Sequence, residues 1–182
     1  MKKCAIFLAE GFEETEAVAL VDVLRRGQVM VEIVSITSNL VVCGSHQIRI
    51  TADSLFEYAS FEDVDMLILP GGMPGSENLN AFEPLKELLR QFDENQKPIA
   101  AICAAPFILG EMGLLQGKEA ICYPGYESKL TGATISNKLV VISGNIFTSL
   151  GLISAVDFGV AIVKYLQGDE IADKVSAGLL LL

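Results

Sequence analysis

The sequence predicts an α/β fold, a three-layer sandwich in which a mostly parallel central sheet lies between two layers of helices. Short apolar and β-branched runs alternate with longer helical patterns along the 182 residues. Several runs are apolar throughout, as strands covered on both faces of a parallel sheet must be. With 51% apolar and 20% charged residues, the chain can bury a large core, and its length suits one domain over residues 1–182.

Six apolar runs are predicted strands, each bounded by turn residues or by a helical pattern. They are Lys3 to Ala9, Val29 to Thr37, Asp65 to Leu69, Pro98 to Ile102, Glu119 to Tyr123 and Ile146 to Thr148. Two further pairs of short runs predict appended β-hairpins, one around Gly44-Ser45 and one around Asn137-Lys138. The paired runs are Leu40 to Cys43 with Gln47 to Thr51, and Ala133 to Ser136 with Leu139 to Ser143.

Three segments outside these strands have the spacing of an amphipathic helix. Glu14 to Arg26 places Ala17, Leu20 and Leu24 on one face, and it is followed by Gly27, a typical C-terminal cap. The other two helices are predicted over Phe82 to Glu94, with Pro84 in the first turn, and over Ile153 to Leu166.

The acidic composition argues against several classes of partner. Asp and Glu number 23 against 13 Lys and Arg, and the net charge of −10 repels nucleic acid and anionic membrane surfaces. No apolar stretch approaches the roughly 20 residues of a membrane span, and the apolar run after Lys3 is shorter than a secretory signal needs. The four scattered cysteines and one histidine have no metal-ligand spacing. We therefore expect a cytoplasmic protein without a metal site.

Three predicted strand ends are expected to converge, because ligands bind at the carboxyl ends of the strands in such sheets. The first is Glu10 to Glu16, where acidic residues also suit a helix N-terminus. The second is Leu69 to Gly75, whose paired glycines either turn backbone N–H groups outward or form a simple tight turn. Neither segment matches a phosphate-binding loop.

The third strand end, Ile99 to Pro106, is the most specific, because Cys103 lies at its junction of strand and helix. Ala101 and Ala105 leave room for a sharp strand-turn-helix elbow. A thiol at a helix N-terminus should have a lowered pKa and react readily. A buried structural cysteine explains the pattern equally well, and the other three cysteines are expected to be structural.

Five segments, which span nearly the whole chain, carry a resemblance to a known family. They are Phe7 to Glu16, Val21 to Arg26, Leu69 to Gly72, Ala100 to Pro106 and Asp157 to Val163. In this order they resemble the ThiJ/PfpI superfamily, and within it the branch of the Parkinsonism-associated deglycase and its bacterial relatives. The resemblance implies a flavodoxin-like fold with a nucleophile elbow, and a cytoplasmic homodimer that needs no cofactor.

The resemblance also implies the roles of particular residues. Cys103 would be the nucleophile, hydrogen-bonded to a protonated Glu16, and the backbone N–H groups of Gly72 and Ala104 would stabilise an oxyanion. The thiolate would add to the aldehyde carbon of glyoxal, methylglyoxal or a sugar-derived adduct, Glu16 would transfer a proton between carbons, and hydrolysis would release glycolate or lactate. The alternative is a non-enzymatic oxidative-stress sensor or chaperone-like protein with an oxidisable cysteine.

Two departures from the family pattern bear on the expected activity. Tyr123 stands where relatives carry a histidine near the cysteine, and a tyrosine hydroxyl, with an ordinary pKa of about 10, is a poor base. Gly151 to Ser154 replaces the family's glycine-proline-glycine-threonine turn. Peptidase activity, found elsewhere in the superfamily, needs a cysteine-histidine pair that the sequence does not place together.

The one histidine, His46, is expected to be a solvated residue at the polar tip of the first hairpin. In related dimers this region lies near the active site of the partner. A second hypothesis is therefore that His46 of one subunit reaches toward Cys103 of the other.

Overall fold

A computed structural model describes residues 1–181; Leu182, the last residue of the predicted domain, lies outside the described residues. The strands in this range are β1 (Lys3–Leu8), β2 (Met30–Ser35), β3 (Val41–Cys43), β4 (Arg49–Thr51), β5 (Ser54–Leu55), β6 (Met66–Leu69), β7 (Ile99–Ile102), β8 (Glu119–Ala120), β9 (Thr134–Ile135), β10 (Val140–Ser143) and β11 (Ile146–Ser149). The helices are α1 (Glu14–Arg26), α2 (Gly75–Ala81), α3 (Glu83–Glu94), α4 (Pro106–Glu111), α5 (Ala155–Gln167) and α6 (Asp169–Gly178). None of these helices is both long and apolar enough to cross a lipid bilayer.

The central sheet has seven described strands in the order β10-β11-β7-β6-β1-β2-β5. Neighbouring strands are parallel except at one edge, where β10 is antiparallel to β11. The order reverses at β1 and β6, because the chain builds outward from β1 through β2 in one direction and from β6 through β7 in the other. Open α/β sheets bind ligands at the carboxyl ends of strands at such a reversal.

Helices cover both faces of this sheet, as the alternating side chains of β1 illustrate. Cys4, Ile6 and Leu8 point to one side and pack in a cluster with buried residues of α1, α5 and α6. Ala5 and Phe7 point to the other side and pack with residues of α2, α3 and α4. All five side chains are almost completely buried. The predicted three-layer α/β fold with a mostly parallel sheet is therefore confirmed.

Helix α1 begins and ends where the sequence predicts, but its C-terminus is formed differently. The side chain of Glu13 caps the N-terminus by accepting a 2.6 Å hydrogen bond from the backbone N–H of Glu16. At the other end Gly27 has a φ of −76°, and the left-handed residue is Gln28 with a φ of 58°. Gly27 is needed for packing instead, because a Cβ there would overlap the side chain of Val163 in α5.

A second glycine lets α1 and α5 approach each other closely. A Cβ at Gly159 would lie 2.8 Å from Cγ1 of Val23. We expect Gly159→Ala to lower the free energy of unfolding by about 1–3 kcal/mol, because the added methyl overpacks this contact. Gly178→Ala in α6 is the matched control, since nothing lies within 4 Å of its added Cβ; it should raise stability by about 0.5 kcal/mol. Urea unfolding measures both, and equal stabilities would contradict the packing argument.

One of the two predicted hairpins is correct and the other is wrong. Strands β3 and β4 pair antiparallel in a separate two-stranded sheet, as expected. The runs Ala133 to Ser136 and Leu139 to Ser143 do not pair with each other: β9 pairs parallel with β8, and β10 pairs with β11. The actual turn is Gly144-Asn145, where Gly144 has a φ of 62°. Glycine at such a position is typical of two-residue hairpins, so this residue is the sequence signal for the turn.

The predicted strand Glu119 to Tyr123 is shorter than expected and lies outside the central sheet. Only its first two residues form β8. The N–H of Ile121 donates to the side-chain oxygen of Thr148 in β11 at 3.0 Å rather than to the backbone of that strand. The N–H of Tyr123 donates to the carbonyl of Cys103 at 2.7 Å. These bonds bring the end of the segment to the carboxyl end of β7.

Candidate active site

Cys103 lies in a sharp turn directly after β7. Its φ of 64° is in the left-handed region, which non-glycine residues rarely adopt. Its N–H donates to the carbonyl of Ser149 at 2.9 Å, and its carbonyl accepts from the N–H of Tyr123. The flanking Ala101 and Ala105 are fully buried, so larger side chains would not fit there. The backbone therefore has the predicted strand-turn-helix elbow, which pushes the cysteine side chain out above the sheet.

Glu16 approaches this elbow from the first turns of α1. Its side chain is 1% exposed, and Oε2 accepts a 3.0 Å hydrogen bond from the N–H of Gly71. The carboxyl group also lies beside the thiol of Cys103, and each group influences the pKa of the other. A Cβ at Gly71 would lie 2.6 Å from Oε2 of Glu16 and 3.1 Å from Sγ of Cys103. The bare backbone of Gly71 therefore allows the acid and the thiol to meet.

Two backbone N–H groups, those of Gly72 and Ala104, lie close enough to the sulfur of Cys103 to act on its pKa. Gly72 has a φ of 91°, so the turn after β6 uses the freedom of glycine to present its N–H group. N–H groups in this arrangement can stabilise negative charge on a sulfur or on an oxygen bound next to it. The structure thus brings together the four residues that the resemblance implies, Cys103, Glu16, Gly72 and Ala104.

Burial dominates the protonation of the acid and the thiol. It raises the pKa of the Glu16 carboxyl to about 7, and together with the nearby Glu16 carboxyl it raises the pKa of the Cys103 thiol to about 12. The N–H groups of Ala104 and Gly72 act in the opposite direction but do not outweigh burial. The expectation that a helix N-terminus lowers the thiol pKa is therefore wrong, since α4 has only six residues and desolvation is larger.

The sulfur opens into a cavity of about 460 Å³. Residues from three strand ends and from the tip of the β3–β4 hairpin line it: Glu13, Ser45, His46, Gly72, Met73, Cys103, Ala104, Tyr123 and Tyr126. Tyr123 is half-exposed, and its Cδ2 and the sulfur of Cys103 both lie 3.6 Å from the position that a Cβ of Gly151 would take. The residue in place of the family histidine is therefore part of the site.

The altered turn from Gly151 to Ser154 also contacts the site. The backbone N–H of Leu152 lies near the carboxyl group of Glu16 and acts to lower its pKa. The hydroxyl of Ser154 donates to the carbonyl of Gly151 at 2.9 Å and holds the turn closed. The turn that departs from the family pattern therefore lies next to the carboxyl group of Glu16.

His46 lies at the exposed hairpin tip, as expected, with 71% of its side chain accessible. It lines the cavity of its own chain. Its Nδ1 lies 3.0 Å from Oε2 of Glu14, and its backbone N–H donates to Oε1 of Glu14 at 2.6 Å. The arrangement in which His46 reaches the Cys103 of a second subunit stays a prediction.

Glu14, which is 3% exposed, is the residue that the sequence analysis missed. Its position in the first turn of α1 offered only the interpretation of a favourable helix-dipole charge. Its contact with His46 spans 32 residues along the chain and follows from the fold alone. Glu13, Glu14 and His46 could offer three metal-ligating atoms within 4.8 Å of one another, but both oxygens of Glu14 already accept N–H groups, and we assign no metal to them.

Comparisons with known proteins agree with the resemblance seen in the sequence. The model of the DJ-1/PfpI family matches residues 2–165. Protein DJ-1 homolog B of Arabidopsis thaliana is 40% identical over 182 residues, which cover 99% of this chain but 42% of that protein. The Parkinson disease protein 7 homolog of Danio rerio is 34% identical over 184 residues, which cover 99% of this chain and 97% of the relative.

A solved structure has the same 34% identity to this chain as the fish protein. Oxidized DJ-1 of Toxoplasma gondii superposes on this chain with a TM-score of 0.95 at 34% identity, and the match covers 99% of this chain and 98% of the other. The chain thus spans less than half the length of the two Arabidopsis relatives it matches, but nearly the whole length of the fish and Toxoplasma proteins.

Proposed function

The chain belongs to the DJ-1/PfpI family, and on that premise we propose that Cys103 and Glu16 catalyse cofactor-independent chemistry on small dicarbonyls or on their adducts. The observation that carries this proposal is the buried contact between the Glu16 carboxyl and the Cys103 thiol, at an elbow where two N–H groups face the sulfur. A nucleophile, a proton carrier and oxyanion donors are what addition to an aldehyde needs. The adjoining cavity has the size of a small-ligand site.

The proposed reaction of methylglyoxal begins with addition of the Cys103 thiolate to the aldehyde carbon. The carbonyl oxygen becomes an oxyanion near the N–H groups of Gly72 and Ala104, and it takes the proton of Glu16 to give a hemithioacetal. The Glu16 carboxylate then removes the hydrogen from the former aldehyde carbon and returns it to the adjacent carbon, while the hydroxyl proton moves to the oxygen of that adjacent carbon; the product is a thioester of lactate. Water cleaves the carbon-sulfur bond and regenerates the thiol, so the overall change adds one water and needs no redox partner.

The raised pKa of Glu16 supports this role. A carboxyl group with a pKa of about 7 has comparable protonated and ionised fractions near neutral pH, so it can both give and take a proton during one turnover. When the acid and the thiol together have lost one proton, that proton has come from Glu16, because its pKa is the lower of the two. The Glu16 carboxylate can then take the proton of the Cys103 thiol as the sulfur attacks, and the N–H groups of Gly72 and Ala104 stabilise the thiolate.

Incubation of the purified protein with methylglyoxal tests the proposal. We expect lactate to form in many turnovers per protein, and glyoxal to give glycolate. If Glu16 carries the hydrogen between the two carbons, lactate formed in D2O should keep a fraction of protium at carbon 2. Consumption of methylglyoxal that stops at one equivalent, with a stable adduct on the protein and no lactate, would contradict the proposal.

A second candidate is reversible oxidation of Cys103 in a non-enzymatic oxidative-stress sensor or chaperone-like protein. Two observations favour the sensor: Tyr123 stands in place of the family's histidine, and the similar Toxoplasma structure is an oxidized one. Sulfinate oxygens at Cys103 could accept hydrogen bonds from Glu16, Gly72 and Ala104. Peroxide treatment followed by mass spectrometry tests this candidate, which requires selective addition of oxygen to Cys103 in a protein that forms no lactate.

We further propose that the chain forms one domain and acts as a cytoplasmic homodimer. All four cysteines, which lie within the described range, have free thiols, and this suits a reducing compartment. An apolar face supports the dimer: Val18 of α1 is 49% exposed beside Ile48, which is 55% exposed and lies in the tip of the β3–β4 hairpin. A second copy of the chain would cover this face.

A charge on this face should separate the subunits. We expect Val18→Asp to halve the mass seen in sedimentation equilibrium, because a carboxylate would be buried without a partner. Ile142→Asp is the matched control, since Ile142 is equally exposed but lies on the edge strand β10, and it should leave the mass unchanged. A wild-type protein that sediments as a monomer would contradict the proposed dimer.

A further inference from the structure

The tip of the β3–β4 hairpin is fastened to one buried carboxylate, that of Glu14. Oε1 accepts the backbone N–H groups of His46 at 2.6 Å and of Ile48 at 3.3 Å. Oε2 accepts the hydroxyl of Ser45 at 3.3 Å and contacts Nδ1 of His46 at 3.0 Å. Burial by itself would raise the pKa of Glu14, but these hydrogen bonds lower it, and Glu14 is ionised at neutral pH.

The backbone at Gly44 makes this close approach possible. A Cβ at Gly44 would overlap the carboxyl group of Glu14. The carboxylate therefore fits into the hairpin only because residue 44 has no side chain. The contact between Glu14 and the hairpin is a built feature of the fold, since it combines a buried charge, four hydrogen-bond donors and a glycine that makes room for them.

The contact with Glu14 determines the orientation of the His46 imidazole and which of its nitrogens carries the proton. A neutral imidazole that donates from Nδ1 to a carboxylate keeps its basic lone pair on Nε2. Among the described residues, none forms a hydrogen bond with Nε2, and the ring is largely exposed where it lines the cavity that also contains the sulfur of Cys103. A carboxylate that orients an imidazole in this way is the usual support of a histidine base.

The other titratable groups around the cavity are less suited to activate water. Glu16 is occupied by the sulfur and by the N–H of Gly71. Glu13 caps α1 through the N–H of Glu16. Tyr123 and Tyr126 are phenols, which are poor bases near neutral pH. The groups that face His46 are thus Glu14 in direct contact, and Glu13, Cys103 and the two tyrosines around the shared cavity.

We propose that His46, oriented by Glu14, is the general base that activates water to release the acyl group from Cys103 of the same chain. This inference rests on the proposed function only in needing an acyl group on that sulfur. Nε2 takes a proton from water as the water oxygen bonds to the thioester carbon. The carbon-sulfur bond then breaks, sulfur leaves with its electron pair, and the carboxylic acid product ionises. His46 would therefore act as the base that the family histidine supplies in relatives and that Tyr123 cannot supply here.

p-Nitrophenyl acetate separates acylation of the sulfur from its hydrolysis. A burst of p-nitrophenolate reports transfer of the acetyl group to Cys103, and the steady rate that follows reports release of acetate. We expect His46→Gln to keep a full burst but to slow the steady rate by about 10²-fold. Added imidazole should restore part of the steady rate in His46→Ala.

Glu14→Gln tests the orienting role through the tautomer of the ring. Because the chain has one histidine, long-range 1H–15N spectra report this ring alone. We expect the neutral ring to carry its proton on Nδ1 in the wild type and to shift toward the Nε2–H form in Glu14→Gln, with a slower steady rate. Gln47→Asn is the matched control, since Gln47 is exposed in the same tip with a φ of 68°, which asparagine tolerates.

Each result decides between the alternatives. A His46→Gln protein that releases acetate at the wild-type rate, or a wild type without a burst at Cys103, overturns the role of His46. An unchanged tautomer in Glu14→Gln overturns the role of Glu14. If acetate release depends on His46 while methylglyoxal gives no lactate, the dicarbonyl reaction is wrong and the inference about His46 stands.

Discussion

Replacing Cys103 with alanine should slow the formation of lactate from methylglyoxal by at least about 10³-fold. The sulfur forms the bond to the aldehyde carbon, and in the described part of the chain it is the only thiol that lines the cavity. Without it, Glu16 and the N–H groups of Gly72 and Ala104 have no bound intermediate on which to act. Initial rates of lactate formation, followed by chromatography with and without protein, measure the effect.

Two further variants show whether this loss is chemical. Cys103→Ser keeps the shape of the side chain and should be as inactive as Cys103→Ala, because a hydroxyl is far less nucleophilic than a thiol. Cys43→Ala removes another partly exposed thiol, which does not line the cavity, and should keep the wild-type rate. Lactate formation in Cys103→Ala at a tenth or more of the wild-type rate would show that the sulfur is not the nucleophile.

Replacing Glu16 with glutamine should lower activity and raise stability at the same time. An amide cannot carry the proton between carbons, so we expect lactate formation to fall by at least about 10²-fold. In Glu16→Gln the carbonyl oxygen of the new amide would still accept the N–H of Gly71, so the elbow should keep its structure. The gain in stability comes from the removal of a group that ionises at a cost in the folded protein.

The sign of this gain depends on pH. The pKa of Glu16 is raised from 4.5 to about 7 by burial, so below pH 4.5 the group is protonated in both the folded and the unfolded chain. Between these values the unfolded chain ionises while the folded chain keeps its proton, and stability is progressively lost as the pH rises. Above about pH 7 the loss is complete and amounts to at most about 3 kcal/mol. Glu16→Gln should therefore be more stable than the wild type at pH 8, with little difference at pH 4.

Urea unfolding at several pH values measures the difference, and Glu14→Gln is its control. Glu14 is also buried in α1, but its pKa is lowered, so its contribution to stability is present at neutral pH and is lost as the pH falls. The two neighbouring substitutions should thus change stability at pH 7 to 8 in opposite directions. A Glu16→Gln protein that is less stable than the wild type at pH 8 would contradict the raised pKa.

Much of the fold could be predicted because its signals are local. The apolar spacing of Glu14 to Arg26 predicted the bounds of α1, and the apolar run that follows Lys3 in β1 predicted a strand covered on both sides. Helix α6 was missed, since only Ala172 and Val175 are buried in it and its apolar pattern is weak. The second hairpin was wrong because the choice of partner for β10 depended on a two-residue turn at Gly144-Asn145.

The candidate site shows the same division between local and distant signals. Cys103 and Gly72 could be found from the rule that ligands bind at strand ends, and the role of Glu16 came from the family resemblance. The thiol pKa was expected to fall because the sequence shows the helix that follows but not the burial around the sulfur. The pair of Glu14 and His46 has no sequence signal, because two surface-type residues far apart in the chain meet only after folding.

The left-handed backbone conformation of Cys103 lowers the stability of the fold, while the side chain at this position is the one that the proposed reaction needs. A glycine would adopt a φ of 64° without the cost of roughly 1 kcal/mol that a side chain incurs there. Selection for thermal resistance alone would consequently replace the sulfur, and only selection for what the sulfur does would retain it. The residue at this turn therefore indicates whether a relative still uses the reaction: a relative that has lost the reaction is expected to carry glycine in place of the cysteine.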